Sequence, residues 1–204
     1  MSSSALPQGV SRETLERLSR LESLLVKWNP AINLVSRASL STAWDRHILD
    51  SAQLFDLITD DARHWVDIGS GGGFPGLVIA TLAADLRPNL AVTLIESDHR
   101  KCTFLRQAAA QIGITPTVLT TRIESAPPQD ADILSARALS ALPNLLSHAR
   151  RHLSTHGLAL FPKGATWQEE VEQARNEWHF DLTVHPSRTD PNAVILAVKD
   201  LSHV

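Results

Sequence analysis

Glycines dominate one short stretch of the chain, residues 69–76, and their spacing is typical of a cofactor-binding loop. Five of the nine residues that follow Asp67 are glycine. The residues just before Asp67 are apolar, as in a strand, and Pro75 stands where the first turn of a helix tolerates a missing N–H. Such a loop lets a ligand approach the backbone, and the following helix offers free N–H groups. The stretch therefore predicts a strand, a tight loop and a helix that bind a nucleotide-like cofactor.

Two classes of cofactor fit this loop. Residues 71–76 satisfy the G-x-G-x-x-G pattern of dinucleotide-binding proteins, although that match alone is weak. Residues 67–73 also fit the D-x-G-x-G-x-G pattern of S-adenosylmethionine enzymes, which places a carboxylate, Asp67, ahead of the glycines. We expect Asp67 to lie near the amino acid group of the cofactor, directly or through water, whereas a carboxylate beside a pyrophosphate is repelled. The pattern thus favours S-adenosylmethionine.

Further candidates follow predicted strands, at the sheet edge where ligands bind in α/β folds. Glu96 ends the second strand, 20 residues after Gly76, where a carboxylate accepts hydrogen bonds from both ribose hydroxyls of either cofactor. Ile123 and Glu124 follow the third strand, so that Ile123 packs on an adenine base while backbone N–H groups bind the edge of that base. Arg137 ends the fourth strand, and its guanidinium suits a cofactor carboxylate or a substrate phosphate. Alternatively, Glu96 is an exposed acid at the end of a strand, and the residues that follow the third strand form an ordinary loop.

The elements that must position these residues alternate between strand and helix. Apolar spacing predicts an amphipathic helix over 11–28, ended by Asn29-Pro30, and a second over 42–58 in which Arg46 and Asp50 form a surface ion pair. Strands are predicted at 65–67, 91–96, 116–121, 131–135, 157–161, 180–185 and 193–199, and later helices at 77–86, 101–112, 139–153 and 167–178.

The order of these elements predicts the fold. Alternation through residue 178 indicates a parallel sheet with helices on both faces. The last two strands are joined by the turn-rich residues 186–192, which make a hairpin and require one antiparallel strand. We predict an α/β fold of the class I, Rossmann-like S-adenosylmethionine methyltransferase type, with a seven-stranded, mostly parallel sheet. We expect residues 1–62 to form an N-terminal helical cap, with residues 1–10 disordered, and residues 63–204 to form the Rossmann-like domain.

Composition excludes several classes of protein. The 204 residues are 43% hydrophobic, which suits one main domain with a sizeable core. One cysteine, Cys102, excludes a disulfide framework and a cysteine-rich zinc site, and we expect no metal. The first residues show no signal-peptide pattern and no apolar run is long enough to span a membrane, so we expect a cytoplasmic protein.

Charge gives a weaker indication of the partner. The net charge of −3 argues against a protein that coats nucleic acid through bulk charge. Between Asp98 and Arg151, however, seven basic residues stand against four acidic ones. A local basic surface and a mere compositional bias explain this excess equally well.

Six short blocks, spread over most of the chain, are specific in combination. They are Asn33-Leu34-Val35-Ser36, Arg46-His47-Ile48-Leu49-Asp50-Ser51, VDIGSGGGFPG at 66–76, Arg100-Lys101 with Phe104-Leu105, Ser135-Ala136-Arg137-Ala138 and Pro162-Lys163-Gly164. Together they resemble the RsmG (glucose-inhibited division B) family of bacterial small-subunit rRNA guanine-N7 methyltransferases. The resemblance implies a guanosine in the 530 loop of 16S rRNA as substrate. It also implies that Gly69, Phe74, Ile123, Glu124 and Arg137 lie at the cofactor site.

The residues and the resemblance together give a predicted site. The predicted cofactor-binding residues are Asp67, Gly69, Ser70, Gly71, Gly73, Phe74, Glu96, Ser97, Ile123, Glu124 and Arg137. Arg137 is also the predicted catalytic residue, acting by positioning, and the predicted RNA contacts are Arg46, His47, Lys101 and Lys163. We expect S-adenosylmethionine as the cofactor and 16S rRNA, free or in the small subunit, as the partner of a monomeric enzyme.

The chemistry of guanine N7 agrees with what the sequence contains. N7 carries a lone pair and no proton, so methylation needs positioning rather than a general base. The chain lacks the cysteine pair expected for attack at pyrimidine C5, and no N-P-P-Y or D-P-P-Y string follows the fourth strand. Two alternatives stay open: a methyltransferase for a small molecule or a protein, which the modest net charge favours, and a regulatory module that binds the cofactor without chemistry.

Overall fold

A seven-stranded sheet forms the centre of the computed structural model, which describes residues 6–204. The strands are β1 (His64–Ile68), β2 (Ala91–Glu96), β3 (Thr117–Thr120), β4 (Ala131–Ser135), β5 (Leu153–Lys163), β6 (Trp178–Pro186) and β7 (Val194–His203). Their order across the sheet is β3-β2-β1-β4-β5-β7-β6. All pairs are parallel except those of β7, which runs antiparallel to both β5 and β6. The predicted fold class, with one antiparallel strand, is confirmed.

Helices cover both faces of the sheet. They are α1 (Arg12–Ile32), α2 (Asp50–Ala52), α3 (Gly76–Leu86), α4 (His99–Ile112), α5 (Leu142–His152) and α6 (Trp167–Ala174). One hydrophobic cluster joins α1, α3 and α4 to one face, and a second joins α5 and α6 to the other. Because the chain leaves β1 for β2 on one side and reaches β4 on the other, the carboxyl ends of β1 and β4 diverge at a crevice where α/β proteins bind ligands.

The first helix is longer than predicted. The side chain of Ser11 caps its start by accepting a hydrogen bond from the Thr14 N–H, as the sequence indicates. The helix then continues through Pro30 to Ile32. Pro30 lies in the last turn of the helix, where its missing N–H removes one backbone hydrogen bond. The Asn29 side chain holds the exit by bonding the backbone of Val35 in both directions. The helix therefore extends four residues beyond the predicted last residue, 28.

The predicted helix over 42–58 is instead a series of short turns. A 3-10 segment (Arg37–Thr42) leads to a π-helical segment (Trp44–Leu49), α2 and a second 3-10 segment (Gln53–Leu57). The predicted Arg46–Asp50 pair does not form, since Asp50 pairs with Arg137 and Arg46 lies 3.8 Å from Asp190. Contacts to other parts of the chain thus outweigh the regular helix that local spacing favours.

Several predicted boundaries also move. The residues after β4 form no helix before Leu142, β5 is longer than predicted and α6 is shorter. The prediction of disorder over residues 1–10 lies outside the described residues for 1–5, and it is wrong for 6–10, where Leu6 and Val10 pack against the first cluster. The division of the chain at residue 62 stays a prediction.

Candidate functional site

A cavity of about 1370 Å³ opens at the carboxyl ends of the parallel strands. Its wall runs from the glycine loop, past the ends of β2 and β3, to the β6–β7 hairpin. It contains nine of the eleven predicted cofactor residues: Gly69, Ser70, Gly71, Phe74, Glu96, Ser97, Ile123, Glu124 and Arg137. All four predicted RNA contacts, Arg46, His47, Lys101 and Lys163, also line it. The fold therefore brings together residues that are far apart in the sequence, from Arg46 to Lys163.

The glycine loop is held by backbone hydrogen bonds to the neighbouring strand. The N–H groups of Gly69 and Ser70 both donate to the carbonyl of Ile95, at 2.8 and 3.2 Å. The Gly71 N–H donates to the Glu96 carboxylate at 2.8 Å, with Gly71 at φ +53°, a region that favours glycine. The loop and the end of β2 thus form one rigid edge of the cavity.

Asp67 lies beneath this loop and not on the cavity wall. Its carboxylate is fully buried and accepts hydrogen bonds from the Ser135 hydroxyl at 2.7 Å and the Gly76 N–H at 3.2 Å. Trp65 in turn donates to the Ser135 oxygen at 2.8 Å. Burial raises the pKa of Asp67 to about 6, although these hydrogen bonds oppose the rise. The carboxylate thus ties the loop to β4 and to the start of α3, and its predicted place near the amino acid group of the cofactor stays a prediction.

Gly73 and Gly76 are closely packed. Gly73 is not among the residues that line the cavity, and a Cβ there would collide with the Leu77 side chain. Its predicted role at the cofactor stays a prediction. A Cβ at Gly76 would lie 2.7 Å from the Asp67 carboxylate and would overlap Leu94. The close packing of α3 on the sheet explains why the G-x-G-x-x-G pattern appears in this chain.

Glu96 lies at the end of β2, where it was predicted. One of its oxygens accepts the Gly71 N–H and the other accepts the Asp98 N–H, both at 2.8 Å. A carboxylate has about four acceptor positions, so further hydrogen bonds remain available to it. Only 8% of the residue is exposed, which keeps this charge oriented and close to the cavity.

Four side chains meet on another part of the cavity wall, and we call them the Arg137 cluster: Arg137, His47, Asp50 and Phe74. The Arg137 guanidinium donates to His47 Nδ1 at 2.9 Å, to Asp50 Oδ2 at 3.3 Å and to the carbonyl of Arg46 at 2.9 Å. It lies 5.3 Å from the centre of the Phe74 ring, on which His47 stacks at 5.1 Å. Asp50 and Phe74 therefore fix an arginine whose position the sequence predicted but whose partners it did not.

Burial sets the charges in this cluster. Together with the neighbouring positive charges of Arg137 and Arg46, burial lowers the pKa of His47 to about 4. His47 is thus neutral near pH 7, accepts from Arg137 through Nδ1 and donates through Nε2 to Ser39 Oγ at 2.9 Å. Burial also lowers the pKa of Arg137, while Asp50 opposes that change, and the guanidinium stays charged. His47 consequently offers no positive charge to an RNA phosphate.

The other predicted RNA contacts differ in how available their charges are. Lys163 is only 10% exposed and donates to Glu170 at 2.7 Å and to the Ser140 carbonyl at 3.1 Å. Arg46 is 62% exposed and Lys101 is half-buried on the wall. Arg122, which the sequence did not single out, is an exposed cation on the same wall. Arg46, Lys101 and Arg122 are thus the cations best placed to meet phosphates at this cavity.

The β6–β7 hairpin closes the side of the cavity next to the Arg137 cluster. Thr189 donates to Asp50 Oδ1 at 2.8 Å, and Gln53 bonds both Ser187 Oγ, at 3.2 Å, and the Arg188 N–H, at 2.9 Å. These contacts join residues more than 130 positions apart, and no local pattern in the sequence predicts them.

Among residues 6–204, no group of three or more His, Cys, Asp or Glu side chains could hold a metal ion. No helix in that range is both long and apolar enough to span a membrane.

Comparison with known proteins gives consistent matches. The GidB family model, described as rRNA small subunit methyltransferase G, matches residues 14–191. The chain is 54% identical over 195 residues to ribosomal RNA small subunit methyltransferase G of Ruegeria sp. strain TM1040, covering 96% of this chain and 95% of that one. The protein of the same name from Cereibacter sphaeroides strain ATCC 17029 is 50% identical over the full length of both chains.

Solved structures share the fold at low sequence identity. A methyltransferase from Geobacter sulfurreducens superimposes with a TM-score of 0.58 at 17% identity, covering 95% of this chain and 90% of that chain. The T. thermophilus 16S rRNA N2 G1207 methyltransferase, solved with AdoMet and guanosine, gives a TM-score of 0.51 at 13% identity, covering 74% and 38%. Both likenesses concern the fold alone.

Proposed function

Because the chain belongs to the rRNA small subunit methyltransferase G family, we propose that it transfers the methyl group of S-adenosylmethionine to N7 of a guanosine in the 530 loop of 16S rRNA. The observation that carries this proposal is the single cavity that joins the glycine loop, Glu96 and the Arg137 cluster. The part of the wall formed by the glycine loop and Glu96 suits an adenosine cofactor, and the Arg137 cluster offers a fixed cation.

The cavity wall fits S-adenosylmethionine in its donor and acceptor groups. Glu96 accepts from the ribose hydroxyls, Ile123 packs on the adenine, and Gly69 to Gly71 bring the backbone close to the amino acid part. Arg137 orients the carboxylate of the cofactor or a phosphate of the substrate. When bound, the cofactor supplies an electrophilic methyl group that an unprotonated lone pair accepts directly.

The acceptor side of the cavity suits a nucleophile that needs no deprotonation. His47 has its Nδ1 lone pair engaged by Arg137, and its pKa of about 4 makes it a weak base. The cluster therefore serves to position and not to remove a proton. Guanine N7 is such a nucleophile, and holding it in line with the methyl group supplies most of the acceleration. Arg46, Lys101 and Arg122 provide the charge that holds the RNA backbone at the mouth.

The proposed function extends to the state of the enzyme. We propose that the enzyme acts as a monomer, and an rRNA substrate supports action in the cytoplasm. Sedimentation of the protein at assay concentration tests the first statement. A dimer whose dissociation abolishes methyl transfer would contradict it.

Mass mapping of 16S rRNA tests the proposed reaction. RNA from a strain that lacks the gene loses N7-methylguanosine in the 530-loop fragment, and the wild-type gene restores it. Arg137→Ala does not restore it, whereas Glu172→Ala, at an exposed position of α6, does. Retention of the methyl group on the 530-loop guanosine in the deletion strain would refute the proposal. Loss of a methyl group from a protein or from another RNA position instead would favour the alternative substrates.

A further inference from the structure

The buried imidazole of His152 lies behind the cavity wall and has no part in the function proposed above. His152 is the last residue of α5 and has no exposed surface. Its Nε2 lies 3.0 Å from the carbonyl oxygen of Ile123. Its Nδ1 has no hydrogen-bond partner among residues 6–204. Such a half-satisfied buried side chain calls for a physical explanation.

The carbonyl partner fixes the protonation state of this ring. A carbonyl oxygen only accepts, so Nε2 carries the hydrogen and Nδ1 carries the lone pair. Protonation would add a buried N–H with no acceptor. Burial accordingly lowers the pKa of His152; the bond to Ile123 and the charge of Glu124 oppose this change, and Arg151 and His148 reinforce it. His152 is thus a neutral donor with one hydrogen bond, which goes to Ile123.

Two neighbours of His152 on α5 hold the same turn. Arg151 donates to the carbonyl of Ala126 at 2.7 Å, and His148 Nε2 lies 3.6 Å from the Glu124 carboxylate. The turn held in this way is the 3-10 segment Ile123–Ser125, whose first two residues line the cavity. The end of α5 therefore acts as the support of one part of the cavity wall.

Peptide geometry relates the His152 bond to the cavity. The carbonyl of Ile123 and the N–H of Glu124 belong to one trans peptide unit, in which C=O and N–H point in opposite directions. The carbonyl points at His152 in the core, so the N–H points in the opposite direction, and Glu124 lines the cavity. Within residues 6–204 this N–H has no backbone acceptor. It is an oriented, free donor on the cavity wall.

We propose that His152 is a positioning residue that presents the Glu124 N–H to N1 of the adenine base of the cofactor. The inference rests on the proposed function, because it requires an adenosine cofactor. Adenine N1 accepts a hydrogen bond, whereas N1 of hypoxanthine carries a hydrogen and donates. A fixed N–H at this place therefore selects adenine over hypoxanthine.

Calorimetric titration of matched variants tests the proposal. S-adenosylhomocysteine and S-inosylhomocysteine are the probes, since they differ only in the base. We expect the wild type to bind the adenine compound at least about tenfold more tightly. His152→Asn and His152→Leu, which cannot reach the Ile123 carbonyl, lose most of this preference by weakening the adenine compound about tenfold. His152→Gln, whose amide nitrogen reaches the position of Nε2, keeps the preference within about twofold.

The outcomes distinguish failure of the proposed function from failure of the inference about His152. A wild type that binds neither compound overturns the proposed function and this inference together. A wild type that discriminates, with His152→Leu discriminating equally well, overturns the inference alone. Equal weakening of both compounds also overturns it, because that result indicates a general loss of structure.

A measurement on the wild-type protein avoids any failure of a variant to fold. In ¹⁵N-labelled protein, we expect the Glu124 amide proton to shift downfield when S-adenosylhomocysteine binds and not when S-inosylhomocysteine binds. An unchanged Glu124 amide at saturation with the adenine compound would refute the assignment.

Discussion

Two buried titratable groups at the site, His47 and Asp67, give the stability of the protein opposite dependences on pH. The pKa of His47 falls from 6.5 to about 4, so the unfolded chain binds the proton more readily and folding loses stability as the pH drops below about 6.5. The pKa of Asp67 rises from 3.8 to about 6, so the folded chain binds the proton more readily and folding gains stability as the pH drops below about 6. The two effects partly offset each other in the wild type.

Non-titrating variants separate these effects. Between about pH 7.5 and about pH 4, the His47 shift removes about 3 kcal/mol of stability and the Asp67 shift adds about 2 kcal/mol. Relative to the wild type, His47→Asn therefore becomes more stable on acidification, by up to about 3 kcal/mol. Its Oδ1 still accepts from Arg137. Asp67→Asn becomes less stable on acidification, by up to about 2 kcal/mol.

Urea denaturation at a series of pH values measures these differences. The quantity to plot is the free energy of unfolding of each variant minus that of the wild type, which removes the contribution of all other titrating groups. His156→Asn, at an exposed position of β5, controls for the substitution itself. Two slopes of the same sign, or two flat lines, would refute the assignment of charge states in the cluster and beneath the glycine loop.

Three further predictions concern packing, catalysis and RNA binding. Gly76→Ala lowers the free energy of unfolding, measured by urea denaturation, by about 3 kcal/mol or more, because its Cβ overlaps Leu94. Gly164→Ala changes this free energy little, because a Cβ there has open space. Equal losses in the two variants would contradict the role of close packing at Gly76. Arg137→Lys loses the planar fork and reduces methyl transfer by about 100-fold in single-turnover assays, and wild-type rates would contradict its positioning role. Lys101→Gln lowers the slope of the salt dependence of RNA binding by about one unit. Lys163→Gln lowers this slope less, because Glu170 already neutralises the charge of Lys163. The reverse order would contradict the proposed RNA contacts.

The sequence predicts well which residues line the cavity at the ends of the strands. Glu96 and Ile123 each follow a run of strand-forming residues, and the carboxyl ends of parallel strands necessarily meet at one edge of the sheet. Asp67 is the instructive exception. Its position ahead of the glycines suggested contact with the cofactor, but a strand residue alternates between faces, and this one points beneath the loop toward Ser135.

The acceptor half could not be derived in the same way. Helical spacing paired Arg46 with Asp50, yet Asp50 is held by Arg137 and Thr189, which lie 87 and 139 residues away. Only the resemblance of the RHILDS block indicated that this segment belongs to the site. The irregular turns of this segment follow from the hydrogen bonds of Asp50 to Arg137 and Thr189, which local residue propensities do not predict. The same limit applies to His152, a buried residue whose relation to the cavity appears only through the orientation of one peptide.

Methylation at guanine N7 is tested most directly by replacing the atom that receives the methyl group. Small ribosomal subunits are prepared with 530-loop RNA whose guanosines carry either nitrogen or carbon at position 7, a change that leaves the Watson–Crick edge intact. Transfer of tritiated methyl groups from S-adenosylmethionine by the purified protein is then counted on both. We expect transfer to the subunits with guanosine and none to those with 7-deazaguanosine. Equal transfer to both would show that another atom is the nucleophile and would refute methylation at N7.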